Sequence, residues 1–545
     1  MSFAFNWNNP YPTIRMPVMG RNIVSTSHPY AAQAGLKIIQ QGGNAIDAAI
    51  AAAAALMIVE PVSNGLGSDC FAIVWDGEKL HGLNSSGVSP AKWSLDYFGQ
   101  KYGKDANGFV NRPVRGWDSI TVPGALAGWE ALHQRFGILP LADILQPAIE
   151  ITKHGHAVAP IVAHKWAAAI PELKDQPGFA KAFMPHGRAP QVGEMFYFPQ
   201  VAKTFERIAK EGIRDFYEGE IAKAIIDYAN QSQAALTASD LSNYKPDWVG
   251  TISTKVQGYD VHEIPPNGQG IGALMAMGIV EQCNLAQYPV DSVESQHLQI
   301  EAMKLAFADI YRYVADPRSM EVSPEQMLNP QYLAKRAQLI NTQKATHFGF
   351  GMPKTGGTIY LSAADEQGRM ISFIQSNYMG FGSGCVEPTF GVSLQNRGHA
   401  FNVNANGHNP ANLVAPGKRP FHTIIPAFLT KDGQPVMSFG VMGANMQPQG
   451  HMQTLVRMLD YGQNPQAACD APRWRYNEGL EINVESALDS NTVAGLHARG
   501  HRMEVINDSY QDFGSGQFIW RAGDPKVEGY IVASDSRRDG LAAGF

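Results

Sequence analysis

A threonine placed directly after two glycines, at the head of a β-prone run, has the makings of both an attacking group and its own base. In Lys354-Thr355-Gly356-Gly357-Thr358 the hydroxyl of Thr358 follows a residue without a side chain, so the Gly357 carbonyl is sterically open to it. If that peptide bond breaks, Thr358 gains a free α-amine whose ordinary pKa of about 7.7–8.0 suits a general base near neutral pH. One residue then carries nucleophile and proton carrier. Gly-Gly-Thr is also an ordinary loop exit, and the spacing alone leaves both readings open.

Other chemistries find little support. The chain holds no G-x-S-x-G elbow, no H-E-x-x-H pair and no phosphate-binding G-x-x-x-x-G-K-[ST] loop. Gly268-Gln269-Gly270-Ile271-Gly272-Ala273 fits a dinucleotide fingerprint only superficially, because Pro265-Pro266 breaks the strand that must feed it; it reads as a loop. His154 and His156 lack a third metal ligand nearby and read as solvated surface histidines. The four cysteines, Cys70, Cys283, Cys385 and Cys469, are too widely spaced for a zinc or redox pair and read as reduced thiols in or near the core. No cofactor or metal is implied.

The elements that must hold Thr358 can be read from periodicity. Pro29 to Val59 reads as two helices, the first stopped by Gly42-Gly43 and the second, alanine-rich and buried, launched by Asn44 as its N-cap. A strand pair follows in SNGLGSDCFAIVWDGEKLHGLN, then helical period from Pro123 to Gly155 and an amphipathic helix from Ser292 to Ala315, ended by Asp316-Pro317. The polar stretch after about residue 320 shows little apolar period and reads as an exposed connector that closes on Gly356-Gly357. Beyond it, 358–364 and 370–376 flank Asp365-Glu366-Gln367-Gly368 as a β-hairpin. Further strands recur at HTIIPAFL and PVMSFGV, with a helix near GHMQTLVRMLDYG, so a helix-rich first two-thirds precedes a strand-rich last third.

Composition bounds the partners. At 545 residues, net charge −6 and only 17% charged residues, the field is too weak and of the wrong sign for nucleic acid or an anionic membrane. The longest apolar run, Ala48 to Val59, is too short to cross about 30 Å of hydrocarbon. The N-terminal segment shows no basic start followed by an apolar run, so a cytoplasmic protein acting on a small-molecule amide is expected.

Many separated segments resemble the γ-glutamyltransferase family of N-terminal-nucleophile hydrolases, in its signal-less bacterial branch with γ-glutamyltransferase-like proteins and cephalosporin acylases. They include QQGGNAIDAAIA, EPVSNGLGSDCFAIVW, VPGALAGWEAL, EAMKLAFAD, GTIYLSAADEQG, QSNYMGFGSG, APGKRPFHTIIPA, GVMGANMQPQGHMQ and DAPRWR. The resemblance implies a mixed α/β, four-layer αββα sandwich. It implies one chain cut between Gly357 and Thr358, with residues 1–357 as large subunit and 358–545 as small subunit, forming a heterodimer or a higher oligomer. By resemblance Ser376 stands where a second hydroxyl contacts the nucleophile, Asn377 lies beside a substrate-contacting position, Gly443 and Ala444 form the oxyanion pair, and His422 and Thr423 occupy a polar pair. Two positions depart from the family pattern. Ser86 stands where an arginine grips the γ-glutamyl carboxylate, and Ala400 where an acidic residue holds the α-amine. Arg397 is either a new grip for one terminal carboxylate or a structural arginine. The expected function is self-cleaving amidohydrolysis, or transfer, of γ-glutamyl or glutaryl-like acyl groups through an acyl-enzyme. The alternatives are a cephalosporin or glutaryl acylase with little glutathione activity, and a non-catalytic binding protein that keeps the fold.

Overall fold

Side chains that alternate between two different apolar environments define strands buried on both faces, and that pattern governs the centre of this molecule. The computed structural model describes residues 14–348, 357–405, 407–507 and 513–545; Lys354, Thr355 and Gly356 lie outside the described residues. In the strand Gly357–Ala364, Ile359, Leu361 and Ala363 join one apolar cluster while Tyr360 and Ala364 join another. Asp69–Trp75 and Met370–Tyr378 alternate in the same way, with Phe71, Ile73, Trp75, Met370 and Ile374 on the side of Tyr360. The second cluster also holds Phe428, Met442, Ile519 and Val532 from a different sheet. It is the seam between two sheets.

The strands of the two sheets are β1 (Val18–Gly20), β2 (Ile23–Thr26), β3 (Asp69–Trp75), β4 (Leu80–Ser85), β5 (Asp247–Trp248), β6 (Ile252–Val256), β7 (Tyr259–Glu263), β8 (Gly357–Ala364), β9 (Met370–Tyr378), β10 (Ala427–Lys431), β11 (Gln434–Met442), β12 (Ser515–Arg521), β13 (Tyr530–Ser534) and β14 (Leu541–Gly544). One sheet runs β14-β2-β8-β9-β3-β4-β5 and the other β1-β13-β12-β11-β10-β7-β6. Every neighbouring pair in both is antiparallel. Helices α1 (Pro29–Gln40), α2 (Ala45–Val59), α3 (Ala125–Phe136) and α4 (Leu141–His154) cover the first sheet; α5 (Gly270–Val280), α6 (Val293–Tyr313) and α7 (Met446–Leu459) cover the second. The result is the expected αββα sandwich.

Helix α2 shows how the sequence sets this packing. All fifteen of its residues are buried, and its alanine run lets α1, α4, β8 and β9 approach the backbone closely. Overfilling such a site, as in Ala52→Leu, costs about 1–3 kcal/mol. Asn44 caps it through Ile46 N and Asp47 N, and Asp47 returns a bond to Asn44 N. Asp365 in the β8–β9 turn accepts from Ala45 N at 3.0 Å, which pins the hairpin carrying Thr358 to the start of α2.

Several expectations need correction. The helix-rich first two-thirds and strand-rich last third stand as expected, but they are not separate layers, since each sheet draws strands from both sides of residue 357. The connector after residue 320 contains helices Pro324–Met327 and Pro330–Ala337, whose Met327 and Leu333 are buried; two apolar anchors suffice where period counting saw none. Gly270 opens α5 rather than continuing a loop. His156 is fully buried among Tyr30 and Phe196, while His154 is exposed as expected. In HTIIPAFL only the end is strand, from Ala427 onward. Three cysteines are buried, Cys283 is half-buried, and all four are free thiols. Among the described residues no helix is long and apolar enough to cross a membrane.

Candidate active site

Thr358 sits where β8 and β9 lose register. Gly357 pairs with Tyr378 but Ile359 pairs with Gln375, so Ser376 and Asn377 together face Thr358 across a bulge. Bulges of this kind re-aim side chains beside reactive groups. Strand alternation puts Thr358 on the seam side with Tyr360, and it is 1% exposed. Its Oγ1 lies 3.2 Å from Ser376 Oγ, so the second hydroxyl predicted from the sequence does meet the first. Tyr378 N donates to the same Ser376 oxygen at 2.8 Å and fixes its position.

Arg397 completes this group. It occupies the short turn Arg397–Ala400 and is fully buried. Its Nη1 donates to Thr423 Oγ1 at 2.8 Å and its Nη2 approaches Ser376 Oγ at 3.4 Å, while the guanidinium stacks 4.4 Å from the Tyr378 ring centre. Among the described residues no carboxylate lies within ion-pair distance of it, and its Nε has no acceptor. Burial lowers its pKa only to about 10, so it stays cationic at neutral pH. An unpaired buried cation is costly unless a ligand supplies the missing anion.

Asp69, which the sequence reading did not single out, is the cross-strand partner of Ser376. Its Oδ1 accepts from Gly87 N and Gly124 N, each at 3.1 Å, and its Oδ2 faces His422 Nε2 at 3.2 Å. Ile424 N points at His422 Nδ1, so Nε2 carries the proton and donates to Asp69. Burial holds His422 well below its ordinary pKa and hence neutral. Burial pushes Asp69 up to about 7, against the pull of Arg397 and the two backbone amides. A carboxylate 353 residues from its histidine leaves no local signal in sequence; its one trace is an acidic residue opening an otherwise apolar strand.

Gly443 and Ala444 follow β11 with φ of +124° and +51° and lead into the positive N-terminal end of α7. Ala444 therefore adopts the left-handed angle that the substitution requires, at a cost of about 1–2 kcal/mol relative to glycine. Gln269, at the start of α5, donates to both Thr423 O and Ala444 O, tying this turn to the Arg397 partner. Asn377 is buried, accepts from Ser68 Oγ at 2.7 Å, and its Nδ2 has no acceptor. The network thus links Thr358, Ser376, Arg397, Thr423, His422 and Ala444, with Asn377 against the bulge.

The two departures from the family pattern bring no charge to the site. Ser86 is buried, and its hydroxyl donates to Asn84 Oδ1 at 2.7 Å and so supplies no charge. Ala400 is half-buried, with its carbonyl accepting from Asn412 Nδ2. Away from the site, His297, Glu301 and His501 bring possible metal ligands within 4.8 Å of one another. Their polar atoms are largely spent already: His297 Nδ1 faces His501 Nε2 at 2.8 Å, and Lys304 Nζ lies 2.6 Å from Glu301. That ammonium occupies the electrostatic place a cation would need.

This fold and this constellation place the chain in a class. The gamma-glutamyltranspeptidase family model matches residues 31–545, and the chain belongs to that family. It is an enzyme of the family. The chain is 34% identical over 536 residues to the Glutathione hydrolase-like YwrD proenzyme of Bacillus subtilis (strain 168), covering 96% of this chain and 98% of that one. It is 33% identical over 533 residues to the Oxamate amidohydrolase proenzyme of Klebsiella pneumoniae, covering 95% and 97%. The crystal structure of cephalosporin acylase from Bacillus halodurans superposes with a TM-score of 0.92 at 44% identity, covering 100% of this chain and 99% of that one.

Proposed function

We propose that the chain cuts itself between Gly357 and Thr358 and then hydrolyses amides of short acyl groups that end in a single carboxylate. In the first reaction Thr358 Oγ1 attacks the Gly357 carbonyl carbon and the peptide nitrogen leaves as the new α-amine. Water then cleaves the ester, giving subunits 1–357 and 358–545. In the second, Thr358 Oγ1 attacks the substrate carbonyl, its proton passes to the α-amine and on to the leaving nitrogen, and water releases the acid from the acyl-enzyme. Ser376 orients the attacking oxygen, and the Gly443 and Ala444 amides receive the oxyanion, a role worth about 2.7–4 kcal/mol per donor.

The observation that carries the substrate reading is Arg397: a buried cation one hydroxyl away from Thr358, with no carboxylate within ion-pair distance among the described residues and Asp69 acting on it only from further off. Ser86 and Ala400 offer no charges for the carboxylate and amine of a free γ-glutamyl group, whereas Arg397 offers one cation for one carboxylate. The range of amide chemistries named among the relatives, from a glutathione hydrolase-like protein to an oxamate amidohydrolase and a cephalosporin acylase, supports treating the headgroup as variable.

Purified protein should run as two bands on a denaturing gel, and Thr358→Ala should run as one and lose turnover. Retained processing in that variant would remove Thr358 from its role. Glutaryl-p-nitroanilide should be preferred to γ-glutamyl-p-nitroanilide by about tenfold or more, the factor expected when a charged amine enters a site whose carboxylate, Asp69, is already engaged by His422 and two backbone amides. A clear preference for the glutamyl compound overturns the substrate reading.

A further inference from the structure

The turn through Gly443 and Ala444 is held from behind by buried polar side chains. Strands β10 and β11 pair as far as Ala427 and Phe439, then part, while β11 stays paired with β12 as far as Met442. Two backbone N–H groups beside the split are taken up by one face of α7. Ile425 N donates to Gln447 Oε1 at 2.9 Å and Val441 N to His451 Nε2 at 3.0 Å, the two side chains being four residues apart. Gln269 spans the same gap from the start of α5 through its bonds to Thr423 O and Ala444 O. The turn is thus gripped two residues before Gly443 and again at Ala444.

His451 can accept from Val441 because of Glu263. The hydrogen of Val441 N requires a bare Nε2, so the imidazole hydrogen sits on Nδ1 and is donated to Glu263 Oε1, 2.7 Å away at the end of β7. Burial holds His451 down to about 3, hence neutral, and raises Glu263 well above the ordinary carboxyl range. Both side chains are fully buried, and Glu263 Oε2 has no partner among the described residues. A carboxyl with a single bond in an apolar layer costs stability rather than supplying it, so packing alone does not account for the pair. The approach is also close: a Cβ on Gly450, the residue before His451, would meet Val441 Cγ1 at 2.6 Å.

The left-handed angles of Gly443 and Ala444 persist only where the surroundings over-determine them, and oxyanion donors act only when aimed at the place where charge develops. We infer that His451, fixed in one tautomer by Glu263, is a positioning residue that aims the Gly443 and Ala444 amides by holding Val441. The role rests on the acyl-enzyme mechanism proposed above and extends it to side chains that touch no substrate.

Four variants test it, with rates referred to the processed enzyme on a denaturing gel. His451→Phe keeps a ring against Phe439 but removes the acceptor. Its kcat on glutaryl-p-nitroanilide should fall by about tenfold to a hundredfold, with KM within about twofold of the parent. His451→Gln, whose amide oxygen can accept from Val441 N, should recover most of that kcat. Glu263→Leu lets the imidazole hydrogen move to Nε2, against Val441 N–H, and should lower kcat as His451→Phe does. Added to His451→Gln it should cost nothing further, because glutamine has no tautomer to fix. The ratio of glutaryl to pentanoyl anilide, set by Arg397, should be the same in all four. A loss that His451→Gln does not recover, a loss in KM rather than kcat, or a full extra loss in the double variant overturns the inference. If the wild type hydrolyses neither anilide, the acylase reading fails and this role falls with it. If it hydrolyses both equally well, only the substrate reading is lost, and kcat still decides the role of His451.

Discussion

Replacing Arg397 by methionine is the sharpest perturbation the site allows. The apolar stem remains against Tyr378 while the charge disappears. Three effects on folding partly offset one another. The bond to Thr423 is worth about 1 kcal/mol and the stacking on Tyr378 up to about 2, whereas burying an unpaired guanidinium costs several kcal/mol. The fold should therefore survive, with a melting temperature close to or above that of the parent. The substrate should not fare so well. A buried charge-assisted bond is worth about 1.5–3 kcal/mol, and at 1.36 kcal/mol per decade its loss lowers kcat/KM by roughly 10- to 150-fold. That loss must be selective. Glutaryl-p-nitroanilide should suffer it, and pentanoyl-p-nitroanilide, of equal chain length but without the carboxylate, should not. Arg397 is also the strongest charge pulling Asp69 down and the strongest pushing His422 down, so both groups should titrate at higher pH in the variant. The assay is a pair of pH–rate profiles on the two anilides. Equal losses on both, or no loss on the glutaryl compound, would refute the role assigned to Arg397.

Gly443→Ala should lower both stability and turnover, because φ of +124° is closed to an L-residue and the new Cβ would meet Gly514 Cα at 3.0 Å; thermal melting should show a loss of about 1–3 kcal/mol. His156 is held down to about 4 by burial against 6.5 when unfolded, so its contribution to stability is complete above pH 6.5 and is lost as pH falls towards 4, as the unfolded chain takes up the proton first. At 1.36 kcal/mol per pKa unit this amounts to about 3 kcal/mol, and His156→Phe should flatten the melting curve over that window. Asp535 accepts from Arg473, Arg537 and Gly516 N in a fully buried cluster, so Asp535→Ala should destabilise by about 3–5 kcal/mol in denaturant titrations.

What the sequence disclosed was what neighbouring residues decide. The cap at Asn44, the Asp365 turn between β8 and β9, and the Ser292 start of α6 all rest on contacts within a few positions, and all formed as expected. Thr358 was legible from its place after two glycines and Ser376 from the family resemblance, and the hairpin then brings them opposite one another. The Asp69–His422 contact was not, because it joins the head of β3 to the segment before β10, which belongs to the other sheet. The burial of His156 was hidden for a related reason: its immediate neighbours Gly155 and Ala157 show no apolar period, and its aromatic surroundings come from Tyr30 and Phe196.

The strand order carries one more consequence. With a cut after Gly357, β8, β9 and β14 alternate with β2, β3 and β4 in one sheet, while β10 to β13 lie between β1 and β7 in the other. Neither fragment then owns a complete layer, and separating them means tearing hydrogen-bonded ladders on both sides of the seam. Folding before the cut is a first-order event, whereas reassembly afterwards requires two polypeptides to find each other. Maturation therefore acts as a ratchet: recovery after denaturation should depend on dilution for the nicked enzyme and not for its single-chain Thr358→Ala precursor.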